Sequence, residues 1–458
     1  MVVFDRDFVD WIIDEAHKMG ADEVECYALM SKIYNVTIQA GEVRLPTFSI
    51  EKGLGIRVVT DKRIGFASTN FFEKEKIRMV IERALSIARS SKQNPKWVSL
   101  PQESKYPHVD KIYDKKLEEM TPEEIMERTK NMLSSAMETD KRVMPVWGGV
   151  AVASFEEIVA NSHNIYGEKK GTAIAGFLGV IAREGNVTTP IHMEQGLSRT
   201  AEIDLDKVGK VVAEKAVRSL KITKIETGEY PIVLDPEAFF MLSLYTLTRA
   251  LSAELVQTGR SPFANKIGQE IASPLLTIID DGTLPGGVAS APFDDEGVEM
   301  QRNVLIDRGV LKGYMFDNYR AQIENRKSTG NAVRGGVLFE GTQPKYQFTP
   351  TITPTNTIID RGDASLDEII EEIDKGVLIL GVQGAHSSNP ETGEISVVAT
   401  PAWVIENGEI KGQAPGIMMN TNIYEAIKQI ESISKETKQT YNMIAPWIKI
   451  SRVKIIKR

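Results

Sequence analysis

The chain has 458 residues, 42% hydrophobic and 26% charged, with 63 acidic against 55 basic residues and a formal net charge of -8. That length calls for more than one hydrophobic core, and the acidic balance argues against a general nucleic-acid binder, which needs a basic stripe. A single cysteine, Cys26, excludes an intrachain disulfide framework and any multi-cysteine metal site.

The opening residues, Met-Val-Val-Phe-Asp-Arg-Asp, place acids where a secretory signal needs an apolar run. Apolar runs such as residues 377–382 are far too short to span a membrane. A reducing, cytoplasmic location without membrane contact is therefore expected. Residues 4–19 repeat apolar side chains at helical spacing (Phe4, Phe8, Trp11, Ile12, Ala16), and Gly20 supplies a stop. Strand patterns follow. Residues 53–68 predict a hairpin that turns at Asp61-Lys62. Helices are expected over 72–90 and 121–137, the second opened by a threonine cap and a proline in its first turn. Strands resume over 143–183, and a helix over 206–220 ends this half.

Residues 221–231 form the best boundary, polar and punctuated by Gly228 and Pro231. A short strand over 232–234 precedes a helix capped by Asp235 with Pro236 inside its start. Residues 242–257 read as a continuation of helix, with Leu244, Leu247, Leu251 and Leu255 on one stripe. Beyond Gly259 strands dominate, with turns at Asp281-Gly282, Arg308-Gly309 and Asn407-Gly408. The expected class is α+β with two domains: an N-terminal mixed α/β sheet domain, 1–222, and a C-terminal strand-rich domain with a few helices, 223–458.

Several stretches, in this order and spacing, resemble one known family: GADEVECYA (20–28), EKGLGIRVVTDKRIGFASTN (51–70), VLDPEA (233–238), SPLLTIIDDGTLPGG (273–287), PFDDEGV (292–298), VLIDRGVLKGYMFDNYRA (304–321), STGNA (328–332) and GAHSSNPETGEISV (384–397). The family is TldD/PmbA, and the resemblance is to its TldE (PmbA) branch. It implies a cytoplasmic two-subunit zinc protease. The TldD-type subunit carries an H-E-x-x-x-H helix, two histidines and a water-polarising glutamate, with a cysteine near the C-terminus. The TldE-type subunit lacks these ligands and helps enclose a chamber for unfolded peptides. Zinc is thus expected in a TldD-like catalytic partner and no cofactor in this chain; a homodimer is one form open to the isolated chain.

Placed without gaps against Gly259, that motif falls on residues 244–249, where this chain has Leu244, Tyr245 and Arg249 at the ligand and base positions. No histidine occurs between His192 and His386. No catalytic or metal-ligating residue is therefore assigned. Candidate chamber or peptide contacts are Tyr245 and Arg249 on the helix, Arg334 in the basic, glycine-rich stretch 325–336, and His386 and Asn389 in a turn before Pro390. That stretch reads most simply as a mobile surface or chamber loop. The Asp294-Asp295-Glu296-Gly297 cluster lacks the oxygen spacing of a calcium loop and reads as a structural turn. Gly53 and Gly55 make a lone G-x-G with no dinucleotide fingerprint behind it. Two other functions compete with the subunit reading: a stand-alone peptidase with an unconventional site around His386, and a regulatory protein-binding factor of the gyrase-modulator type.

Overall fold

The computed structural model describes residues 5–102, 104–335 and 344–457. Its class is α+β, built on two large sheets. The first is eight-stranded and antiparallel at its centre. In order across the sheet run Arg63–Thr69, Thr47–Thr60, Glu23–Gln39, Val143–Asn161 and Tyr166–Glu184. The Asp61-Lys62 turn has φ of 49° and 56°, the left-handed pair that a tight two-residue hairpin requires. Thr121 caps the helix Pro122–Thr139 through a reciprocal pair with Glu124, as its sequence promised. The first helix is Arg6–Lys18, and Phe4 of the expected span lies outside the described residues.

Side-chain alternation along Glu23–Gln39 separates two environments. Val24, Cys26 and Ala28 point to the helices Arg6–Lys18 and Lys74–Ser90, and Val36 and Ile38 to Pro122–Thr139 and Leu205–Arg218. Glu25, Tyr27, Leu29, Ser31 and Ile33 point the other way, into a seam against the second half of the chain. Helices thus cover one face of the sheet, and the C-terminal domain meets the other.

The second sheet has thirteen strands and mixed direction. Met443–Lys457 is its hub, pairing antiparallel with Gly228–Leu234, Ile417–Asn422 and Ile430–Thr440 and parallel with Thr357–Ile359. The helix Pro236–Tyr245, capped by Asp235, lies within its main core, where Phe239, Phe240 and Leu242 are buried. Among the described residues no helix is long and apolar enough to cross a membrane.

The continuous helix expected over 242–257 is broken into Pro236–Tyr245, Leu247–Ala250 and Ala253–Gln257. The stripe itself is buried at Leu247, Leu251 and Leu255. The break sits at Thr246, with φ -128° and ψ -82°. Ser243 donates its hydroxyl to the Phe239 carbonyl, and Thr246 donates to that of Leu242 at 2.6 Å. Hydroxyls returned to the preceding turn compete with the helical ladder, and Ser252 then caps a new turn through the Glu254 N–H.

Candidate functional site

The seam between the sheets holds most of the molecule's buried charge. It begins with glycines. A Cβ on Gly53 would lie 2.1 Å from the Tyr346 ring, and one on Gly55 2.6 Å from the Tyr346 carbonyl. The lone G-x-G is therefore a place where another segment's aromatic ring rests on the sheet. Tyr346, Phe293, Tyr27 and Leu29 form one apolar cluster across the seam.

Beside that cluster, Arg57 donates to both Glu25 and Glu296, the latter at 2.8 Å, and Arg334 donates to Glu25 from the opposite domain. Arg334 is 1% exposed. It also donates to the Phe348 carbonyl, and its guanidinium lies 4.7 Å from the centre of the Tyr27 ring. The stretch around it is not the mobile surface loop expected. Ser328, Asn331, Ala332 and Arg334 are all buried, held by hydrogen bonds such as Asn331 to Asp280 at 2.8 Å. Gly336 of that stretch lies outside the described residues.

The acidic cluster is a turn, and more than a turn. Asp294 accepts from the backbone of Glu296, Val298 and Ala332, closing the loop. Asp295 and Glu296 instead reach across the seam. Lys169 bridges Glu157 at 3.0 Å and Asp295 at 3.4 Å, and Lys345 does the same at 3.2 and 3.4 Å. Burial pushes the Asp295 carboxyl up, but Lys345, Lys169 and the Arg334 N–H outweigh it and hold it at about 2.

These charges form one end of a seam cavity of about 520 Å³. Its walls are otherwise mostly apolar, with Ile33, Phe155, Ala175 and Leu197 on the sheet and Ala289, Met300, Pro354 and Tyr441 opposite. Arg199 also lines it. The guanidinium donates to four backbone carbonyls: Thr172 and Ile112, both at 2.6 Å, Val288 at 3.1 Å and Ser290 at 3.3 Å. Burial pulls its pKa down to about 10, against the attraction of Glu157. A wider groove of about 930 Å³ runs between the helix Leu205–Arg218 and a sheet face bearing Trp403 and Trp447. Its cations are already occupied: Lys215 pairs with Glu194 at 2.8 Å and Arg218 covers the Trp403 ring at 5.2 Å.

A second charged cluster lies where Glu194 meets Lys215 and Lys438, the latter at 2.7 Å. Burial would raise the Glu194 carboxyl, yet the two lysines hold it at about 2. Glu237, nearby on the helix Pro236–Tyr245, is raised by burial to about 7.

Of the expected contact residues, Tyr245 and His386 are brought together, ring centres 6.5 Å apart and edge-on. His386 is exposed on the 3₁₀ turn Ala385–Ser387. Arg249 is exposed on the short turn after the break. Asn389 is exposed and accepts from the Glu391 N–H at 2.8 Å, shaping a turn. Sequence reasoning missed Glu25, Arg57, Glu157, Lys169 and Arg199. For Glu25 and Arg57 the available signal was a charge between apolar neighbours on a strand; Glu157 and Lys169 each sit beside another charge, and Arg199 lies beyond its strand.

These features define a two-domain α+β protein with a charged cavity at the domain seam. Family models of the PmbA/TldA metallopeptidase match it in three pieces: domain 1 over residues 24–88, the central domain over 115–220 and the C-terminal domain over 227–457. The chain belongs to the PmbA/TldD metallopeptidase family. It is similar to the solved structure of TldE from Thermococcus kodakarensis, with a TM-score of 0.89 and 32% identity, covering 98% of this chain and 100% of that one. An uncharacterized protein of Methanocaldococcus jannaschii is 30% identical over 440 residues, 95% of this chain and 97% of its own length. Metalloprotease PmbA of Escherichia coli O157:H7 is 26% identical over 431 residues, 92% and 89% of the two chains.

Proposed function

We propose that this chain is a TldE-type subunit that carries no zinc centre of its own. It works with a TldD-like catalytic partner in a cytoplasmic metallopeptidase and helps enclose the chamber that receives unfolded peptides. One observation carries the reading: the chemistry of the side chains at the family's helix position. Leu244 has no lone pair to give, Tyr245 packs against the core and the His386 ring, and Arg249 brings a cation that repels a divalent ion. The lone thiol, Cys26, is buried on the helix face of the first sheet, and burial pushes it far above the range in which it would ligate a metal. These residues do not fit zinc, so no catalytic step is assigned to them. What the chain offers instead is a polar, partly apolar interdomain surface able to hold extended peptide.

The test is metal analysis and peptidase turnover on the purified chain, with and without a co-expressed TldD-like subunit. The expected result is background zinc and no turnover for the chain alone, and turnover lost to chelator in the complex. A stoichiometric transition metal and chelator-sensitive turnover in the chain alone would overturn the assignment.

A further inference from the structure

We infer that the seam cavity is a binding site for a monocarboxylate attached to an apolar body, with the carboxylate held at the Arg199 end. The inference rests on the peptide-handling reading only for where such a ligand comes from.

Charge bookkeeping comes first. The buried end of the cavity holds three cations, Lys169, Lys345 and Arg199, against two carboxylates, Glu157 and Asp295. The two lysines and the two acids satisfy one another. Lys170, also on the wall, is spoken for by Glu156 at 2.7 Å. Arg199, 4% exposed, makes no ion pair among the described residues; it meets four carbonyls and lies 5.3 Å from the centre of the Phe155 ring. A buried guanidinium without a counter-charge is costly, and a bound anion relieves that cost.

An independent observation comes from the sheet. Ser31 faces the same cavity, is 7% exposed, and its hydroxyl has no hydrogen-bond partner among the described residues. A buried hydroxyl without a partner is a donor waiting for one. Beyond these groups the wall is mostly apolar, with Ser198, Thr353, Thr355 and Asn442 among it, and its volume falls in the range of small-ligand sites. Among the described residues the surplus is one positive charge, which suits one carboxylate and not a phosphate dianion. The apolar remainder suits aliphatic side chains or an acyl chain. Both the C-terminus of an apolar peptide and a fatty acid present this chemistry.

The experiment is calorimetric titration of the full chain with three probes: the acetylated tetrapeptide Ac-Ala-Ala-Leu-Leu as free acid, the same peptide as its C-terminal amide, and decanoate. The free-acid peptide is expected to bind at least about ten-fold more tightly than the amide, because only the acid carries the charge. Decanoate binding alone would assign the site to fatty acids, and peptide-acid binding alone to peptide ends. Ala175→Phe, which fills the cavity from the sheet side, is expected to abolish binding. Ser31→Ala, a milder change, is expected to weaken it about three-fold or more. Equal affinity for acid and amide, unchanged binding in both variants, or no binding of any probe at millimolar concentration would overturn the inference. If the chain binds the acid yet fails to support turnover by a TldD-like partner, the subunit reading falls and the site stands. If it supports turnover but binds none of the probes, the site falls and the reading stands.

Discussion

Two regions of one seam treat buried charge in opposite ways. Around Tyr27 every ion has its counter-ion: Arg57 and Arg334 share Glu25, Arg57 also holds Glu296, and aromatic rings close the remaining sides. In the cavity wall, among the described residues, Arg199 has carbonyls and the Phe155 ring but no ion pair, and the Ser31 hydroxyl has no partner. The first arrangement balances its charges within one chain and fixes how the domains meet, although the Tyr27 hydroxyl and Arg57 Nε lack hydrogen-bond partners among the described residues. The second leaves a charge unbalanced. Buried charges that pair report on architecture, whereas one left over reports on binding.

The sharpest way to break this comparison is at Arg334. Arg334→Met leaves part of the Glu25 charge buried and unanswered, so the expected loss is about 3–5 kcal/mol. Chemical denaturation measures it directly. Adding Glu25→Gln should recover part of that loss, because the stranded charge is removed along with its partner. A loss below about 1 kcal/mol in the single variant would mean that the seam opens to water there.

Glu194 tests the second charged cluster and adds a pH signature. Its carboxyl is held at about 2 against an ordinary 4.5, so it contributes stability above pH 4.5 that is lost as pH falls toward 2. The neighbouring His192 is held neutral by burial down to about 3, against an ordinary 6.5, so its contribution also fades as pH falls, from 6.5 toward 3. Both therefore favour unfolding in acid. Glu194→Gln should cost about 2–3 kcal/mol at neutral pH, since it removes the ion pair of Lys215 and leaves Lys438 only Asp235 at 3.9 Å. The slope of stability between pH 4.5 and 2 should fall by about one proton in the variant. The slope between 6.5 and 4.5, where His192 and Glu237 titrate with opposite sign, should change less.

Why the sequence disclosed one of these regions and hid the other follows from distance along the chain. Local rules located Asp61-Lys62, the Thr121 cap, the Asp235-Pro236 start and the Asn407-Gly408 turn, because each is decided by residues a few positions apart. The break at Thr246 was hidden, since Ser243 and Thr246 fit an unbroken helix as well as a broken one until tertiary packing chooses. Arg334 was placed on a loop because its partner, Glu25, lies 309 positions away. Of the candidate contacts, the closeness of Tyr245 and His386 was not readable from spacing. Arg199 carried no signal at all, as its partners are backbone carbonyls that any sequence provides.

The smallest expected effect is also the one that separates the two kinds of buried group most cleanly. Ser31 and Ser273 are both nearly buried serines, 7% and 5% exposed. Ser273 donates to the Ile430 carbonyl at 2.9 Å and accepts from the Leu275 N–H. Removing its hydroxyl leaves the carbonyl unpaired, so Ser273→Ala should cost about 1–2 kcal/mol. Ser31 gives up no bond, and replacing it removes a desolvated group. Ser31→Ala should therefore change stability by less than about 0.5 kcal/mol, the few tenths lost in strand propensity being offset by the relieved hydroxyl. A cost matching that of Ser273→Ala would show that the Ser31 hydroxyl has a partner inside the folded chain, and the contrast between the closed and open parts of the seam would then collapse at its weakest point.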